Sequence, residues 1–205
     1  MLQAVIVGML SLVLFLGQGG RVVEAACAER CRNAAFLGSD FWWAVRNSDN
    51  TISVFRNGFL FSPQPGGTTP NLISLQVFSG QVFLAVRGTG TQQGVFVNRW
   101  TGSSWTGWIR PQQGSTTNSP DMSVFSNSVH LAIAGTDLPN RGLWLNRYTS
   151  AWLGWVGIAN LFTSAQTCAS SSLRVGGCRT DGQCWRLTTT NLGTWSGPTL
   201  GNPCP

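Results

Sequence analysis

A chain of 205 residues carrying only 10% charged side chains, with 25 Gly, nine Pro, ten Trp and eleven Phe, is one domain's worth of polypeptide and favours many short strands and turns over helices. All thirteen basic residues are Arg, against seven acids, for a net charge of +6. They fall one or two per segment instead of crowding one face, which speaks against a nucleic-acid partner, so the charge is read as solubility first.

Residues 4–16, AVIVGMLSLVLFL, are a charge-free, mostly apolar run. The run is too short to span a bilayer and the right length for the core of a secretory signal. Val23, Glu24 and Ala25 follow with a small-residue cleavage pattern, although no basic residue precedes the run. The expectation is a signal peptide over 1–25, a secreted, extracellular chain over 26–205, and no membrane insertion once the leader is removed. A lipid anchor on Cys27 is the alternative, but Glu24 stands where such a signal wants a bulky apolar residue.

Cys27, Cys31, Cys168, Cys178, Cys184 and Cys204 remain after the leader, and an even count in an exported chain reads as disulfides. The spacing fits no common zinc site, since Cys27 and Cys31 are four apart, no second close pair exists and His130 is the only histidine. No metal or other cofactor is expected. Fifteen pairings are open. Cys178 and Cys184 flank the turn at 179–182 and can close a hairpin, which leaves the N-terminal pair for Cys168 and Cys204.

From Phe36 onward the chain repeats itself. VFSGQVFLAVRGTG from Val77 matches VFSNSVHLAIAGTD from Val124, and Trp105-Thr-Gly-Trp108 recurs as Trp152-Leu-Gly-Trp155, both at a spacing of 47 residues. Val95 to Arg99 answers Leu143 to Arg147, one residue out of phase. The template extends more weakly to FLGSDFWWAVRN from Phe36 and, downstream, to Cys168, Leu173 to Gly177 and Trp195. Four copies result, at approximately 32–71, 72–119, 120–163 and 164–205. In the third, the strand-sized pieces are Asp121 to Asn127, His130 to Ala134, Leu143 to Arg147 and Ala151 to Val156, with period-two alternation and turn residues between them. Four strands per unit of 40–50 residues is the signature of propeller blades. The fold class is therefore all-β: a β-propeller of four repeats, each a four-stranded antiparallel blade of about 47 residues, stabilised by disulfides.

The W-x-G-W pairs and the Leu143, Trp144 strand after a Thr-Asp turn resemble the tandem repeats of fucose-binding bacterial propeller lectins and, more distantly, the tachylectin type. The resemblance covers roughly residues 36–200. It implies sugar pockets between adjacent blades, and hence glycans or glycoconjugates as partners. The chain departs from that pattern in having four copies where five to seven are implied. Either the ring closes within one chain, the reading favoured here, or an open arc is completed by a second copy as a homo-oligomer.

The candidate carbohydrate-binding residues are Trp105, Trp108, Trp152, Trp155 and Trp195, with Arg56, Arg99, Arg147, Asn98 and Asn146. An exposed indole offers a flat apolar face to a sugar ring and an N–H to a hydroxyl, and Arg with Asn adds fixed donors and acceptors. Packing between blades is the competing role. Two Trp three apart point to opposite strand faces, so at least one of each pair should be buried. Asp49, Asp137 and Asp181 form a further column, read as turn chemistry. No two carboxylates are seen facing one bond, and His130 sits mid-strand, so catalysis is not expected. The functional expectation is a secreted, multivalent lectin-like protein; the alternative is a structural subunit of an extracellular coat or filament that self-associates through outer blade strands.

Overall fold

Runs of alternating apolar residues, broken by Gly, Asn and Ser turns, give fifteen strands in the computed structural model, which describes residues 32–201 except 92, 137–141 and 180. The expected leader, Cys27, Cys31, Cys204 and Asp137 lie outside the described residues. The chain divides into two units, and everything described belongs to the second, Arg32–Pro205.

The strands form four consecutive antiparallel meanders. The first sheet is β1 (Ala34–Leu37), β2 (Asp40–Arg46), β3 (Ile52–Arg56) and β4 (Phe59–Leu60), and the second is β5 (Ser74–Phe78), β6 (Gln81–Arg87) and β7 (Val95–Trp100). The third holds β8 (Asp121–Phe125), β9 (Ser128–Ala134), β10 (Leu143–Tyr148) and β11 (Trp152–Ala159), and the fourth β12 (Gln166–Ala169), β13 (Leu173–Cys178), β14 (Cys184–Thr189) and β15 (Ser196–Leu200). Hairpins β5–β6 and β8–β9 turn through Ser79, Gly80 and Ser126, Asn127, all four at positive φ, the two-residue geometry that matches strand twist.

One expectation fails: the second sheet has three strands, not four. Where a fourth strand would lie there are isolated bridges, Trp105 to Trp100, Ile109 to Val97 and Ser115 to Gly94, along a stretch that includes Gly102 (φ +100°) and Gly107 (φ +84°).

Alternation sorts each strand's side chains between two neighbours. From β6, Val82, Leu84 and Val86 join a core with Trp42, Ile52 and Val54 of the first sheet, while Phe83 and Ala85 join another with Met122, Leu131 and Tyr148 of the third. A third core lies between the third and fourth sheets around Leu143, Leu173 and Val175. The second and third sheets are thus buried on both faces, which accounts for the bulk apolar content.

The first strands of successive sheets pack side by side, β1 on β5, β5 on β8 and β8 on β12. Where they meet sits Asp121, 1% exposed. Its carboxylate lies 3.4 Å from the Arg32 guanidinium and accepts from Ser74 Oγ (3.3 Å) and the Thr167 backbone N–H (2.8 Å). Arg32 also donates to the Ala165 carbonyl at 3.4 Å, and its own carbonyl accepts from Leu75 N–H at 2.6 Å. One ion pair therefore joins the segment before β1 to the other three sheets. Burial pushes the Asp121 carboxyl up to about 6, against the pull of Arg32 and the donors.

Cys178 and Cys184 form a disulfide across the directly paired ends of β13 and β14, closing the hairpin. Cys168 is disulfide-bonded as well.

Candidate functional site

Strand register aligns one cross-strand pair in every sheet. Trp42 faces Arg56, Phe83 faces Arg99, His130 faces Arg147 and Arg174 faces Thr188. In the first two sheets the guanidinium lies over the aromatic ring, at 5.6 Å for Arg56 on Trp42 and 5.9 Å for Arg99 on Phe83. Direct opposition on one face sets this geometry, with no dependence on loops.

The surroundings of the four positions differ. Arg56 is exposed and ion-paired with Asp40, which also accepts from Asn57 at 2.7 Å; the Arg56 contact holds the Asp40 carboxyl below its usual range. Arg99 is half-buried, donates to the Tyr148 hydroxyl of the third sheet and has its guanidinium 5.5 Å from that ring. Arg147 stands against His130, whose imidazole burial pushes down to about 4, so it is neutral at physiological pH. His130 Nε2 lies 3.1 Å from Ser128 Oγ and 3.2 Å from the Phe125 carbonyl inside the core, the setting of a packed histidine.

Around Arg99 opens a cleft of about 470 Å³ between the second and third sheets, floored by Phe83 and Val97 and walled by Arg110, Tyr148 and Trp152. A second cleft, about 450 Å³, runs from the loop at Gly67 and Thr68 to Trp108 and Phe96. A third, about 450 Å³, lies on the fourth sheet at Arg174, Arg186, Thr188 and Ser196.

The tryptophans of the W-x-G-W pairs divide by role. Trp155 donates to the Pro111 carbonyl at 2.8 Å, Trp108 to the Pro65 and Gly66 carbonyls at 3.1 Å each, and Trp105 to the Pro63 carbonyl at 2.8 Å. Each indole N–H is thus spent on the loop that follows the preceding sheet. Trp108 lies over Gly67 and Trp155 over Gly114, so closely that a Cβ would fall 2.6 Å and 2.4 Å from the indole. These are pegs between repeats. Trp152 differs: its ring packs 5.3 Å from Tyr148 and faces the Arg99 cleft. Trp195 is half-buried against the third core.

Both tryptophans of each pair pack on the same core, Trp105 and Trp108 on the first, Trp152 and Trp155 on the second, contrary to the opposite faces expected from their spacing. Gly107 (φ +84°) and Gly154 (φ +111°) explain it. A left-handed residue between the two indoles shifts the pleat, and the ladder of β10 and β11 shows the matching irregularity between Asn146 and Tyr148.

Asn98 and Asn146 are 1% and 0% exposed and occupied internally. Asn98 donates to the Pro65 carbonyl (3.3 Å) and accepts from Arg99 N–H (2.8 Å); Asn146 donates to Gln112 Oε1 (2.8 Å) and accepts from Gly154 N–H (3.1 Å). The turn aspartates follow their expected chemistry: Asp49 accepts from Thr51 N–H at 3.0 Å and Asp181 from Gln183 N–H at 2.9 Å. Sequence reasoning missed Phe83, Tyr148 and Arg110. The signal for Phe83 was its register opposite Arg99, and for Tyr148 its place as the single tyrosine, next to an Arg of the column.

No protein-family model and no curated protein matches the chain. Solved structures do. The BP39L lectin from Burkholderia pseudomallei superposes with a TM-score of 0.62 at 16% identity, over 80% of this chain and 52% of that one. The fucose-specific lectin from Aleuria aurantia gives 0.55 at 12% identity, over 81% and 58%. An exo-β-1,3-galactanase from Phanerochaete chrysosporium, solved with galactose, gives 0.55 at 11% identity, over 82% and 49%. The chain thus spans about half the length of the structures it matches, and it shares the fold of two lectins, one of them fucose-specific, and of an exo-β-1,3-galactanase alike.

Proposed function

We propose that this chain is a secreted carbohydrate-binding, lectin-like protein whose four repeats close into a propeller ring within one chain. The observation that carries the reading is the cleft between the second and third sheets, where an Arg stacked on Phe83, a tyrosine and a half-buried indole converge. Aromatic faces suit the C–H side of a sugar ring, and the fixed guanidinium suits its hydroxyls. Ring closure draws support from the Arg32 to Asp121 and Ala165 contacts, which reach from the first sheet's edge to the third and fourth. Binding without hydrolysis draws support from the four described carboxylates, each bonded elsewhere: Asp40 to Arg56, Asp49 to Thr51, Asp121 to its three sheets and Asp181 to its own turn.

Retention of the secreted protein on immobilised glycans, competed by free monosaccharide, tests this. The expected result is retention that Trp152→Ala abolishes without unfolding; no retention on any glycan would overturn it. The coat-subunit reading draws on β15, exposed along its whole length, with Leu153, Val156 and Leu200 turned to solvent. A native mass of the secreted material separates the two, expected at one chain lacking residues 1–25 for the binding protein and at a polymer for the coat.

A further inference from the structure

Resting on the carbohydrate reading, we propose that the cleft at Arg99 takes an acidic saccharide, a sugar ring bearing a carboxylate or sulfate, in preference to its neutral parent. The reason is a charge imbalance built into fixed geometry. Arg99 is held by Phe83 and the Tyr148 hydroxyl. Arg110, on the wall of the same cleft, is held by the Gly114 carbonyl (3.2 Å), the Gln113 carbonyl (3.2 Å) and the Gln113 side-chain oxygen (3.4 Å). Every one of these partners is neutral. The guanidiniums are positioned but not neutralised, and among the described residues no carboxylate lies within ion-pairing distance of either.

The contrast within the molecule sharpens the point. Arg56, at the same strand position one sheet earlier, has Asp40. Arg32 has Asp121. Other guanidiniums also lack a described counter-charge, such as Arg46 on Asn50 Oδ1 (2.9 Å) and Arg87 on the Thr116 carbonyl (3.1 Å), but Arg99 and Arg110 share one open cleft, and a second cleft repeats the arrangement. The cleft on the fourth sheet holds Arg174 and Arg186, the latter bonded to Thr199 Oγ1 at 3.3 Å, again with no described carboxylate lining it. A cationic pocket whose donors are already aimed by neutral braces binds an oxyanion with little reordering, and a guanidinium gives two parallel N–H donors to a carboxylate or sulfate. The Trp152 face is left for the ring carbons.

The test is titration calorimetry of the intact secreted protein against three probes, glucose, glucuronic acid and glucose 6-sulfate, at low and high NaCl. The expected result is at least tenfold tighter binding of either acidic probe than of glucose, with the preference shrinking as salt rises. Arg99→Gln should bring the preference close to one, and Arg99→Lys should keep part of it. Binding of only one acidic probe narrows the anion to carboxylate or sulfate and supports the proposal. If glucose binds as tightly as both acidic probes, the saccharide reading stands and the acidic preference is overturned. If none of the three binds and an immobilised glycan panel is also blank, both fall. Should Arg99→Gln fail to fold, the wild-type preference and its salt dependence still decide.

Discussion

Between the first and second sheets, the Phe61 ring lies 4.6 Å from Trp42 and 4.9 Å from Trp100, filling the gap, and Arg56 above it is neutralised by Asp40. Between the second and third, the residue that bonds the neighbouring strand in the place of Phe61 is Ile109, which donates to the Val97 carbonyl as Phe61 does to Val54. Ile109 is half exposed, and the space that Phe61 fills remains a cleft beneath Arg99. At this position, two junctions with the same backbone plan thus end as a packed seam and an open pocket. A binding site in a repeat array is created by what one copy omits as much as by what another adds.

The comparison breaks most visibly if the filler is removed. Phe61→Ala should cost about 3 kcal/mol, since it strips a ring from two tryptophans, measured by denaturant unfolding against wild type. A perturbation shared by both junctions acts at Asp121. The folded protein holds this carboxyl at about 6, so it keeps a proton that the unfolded chain, titrating near 3.8, has released. The stability this group contributes is therefore full at low pH and lost as pH rises through about 6, on the order of 2–3 kcal/mol. Unfolding midpoints from pH 4 to pH 7 should show that fall, and Asp121→Asn should flatten it.

Filling the open junction is the next test. Ile109→Phe, which copies the closed one, should lower glycan retention by tenfold or more while the melting temperature holds or rises. Arg99→Ala should lower retention by about tenfold, whereas Arg56→Ala should leave it unchanged, because Arg56 is paired with Asp40 and lines none of the three clefts described above; surface binding assays on the same glycan check both. Smallest of all, Asp40→Asn should leave thermal stability where it was, an exposed pair being of little worth.

The repeats were legible in the sequence because strand alternation and a fixed spacing are local signals, and the Arg column followed from them. The openness of each junction was not, since it depends on Phe61 meeting Trp42 and Trp100 of two different repeats, contacts that no local pattern announces, and on Ile109 leaving that space open. The side of each tryptophan was misread because the pleat is reset by a left-handed glycine, which spacing alone does not reveal. Asn98 and Asn146 looked like ligands for sugar and are buried braces; a polar residue next to an Arg carries no mark of which way it points. Asp121 was seen only as the start of a strand, because its partners Arg32, Ser74 and Thr167 are spread over three other repeats.

The indole pegs have a direction. Trp108 clamps the loop at Pro65, 43 residues behind it, and Trp155 clamps the loop at Pro111, 44 residues behind. During synthesis from the amino end, the loops after the first and second sheets therefore stay unclamped until most of the next unit has left the ribosome, and the second and third units each bolt down the one before. These two junctions are fastened in the order they are made, so a chain cut short within the second or third unit leaves the preceding loop unclamped, the part first offered to a protease.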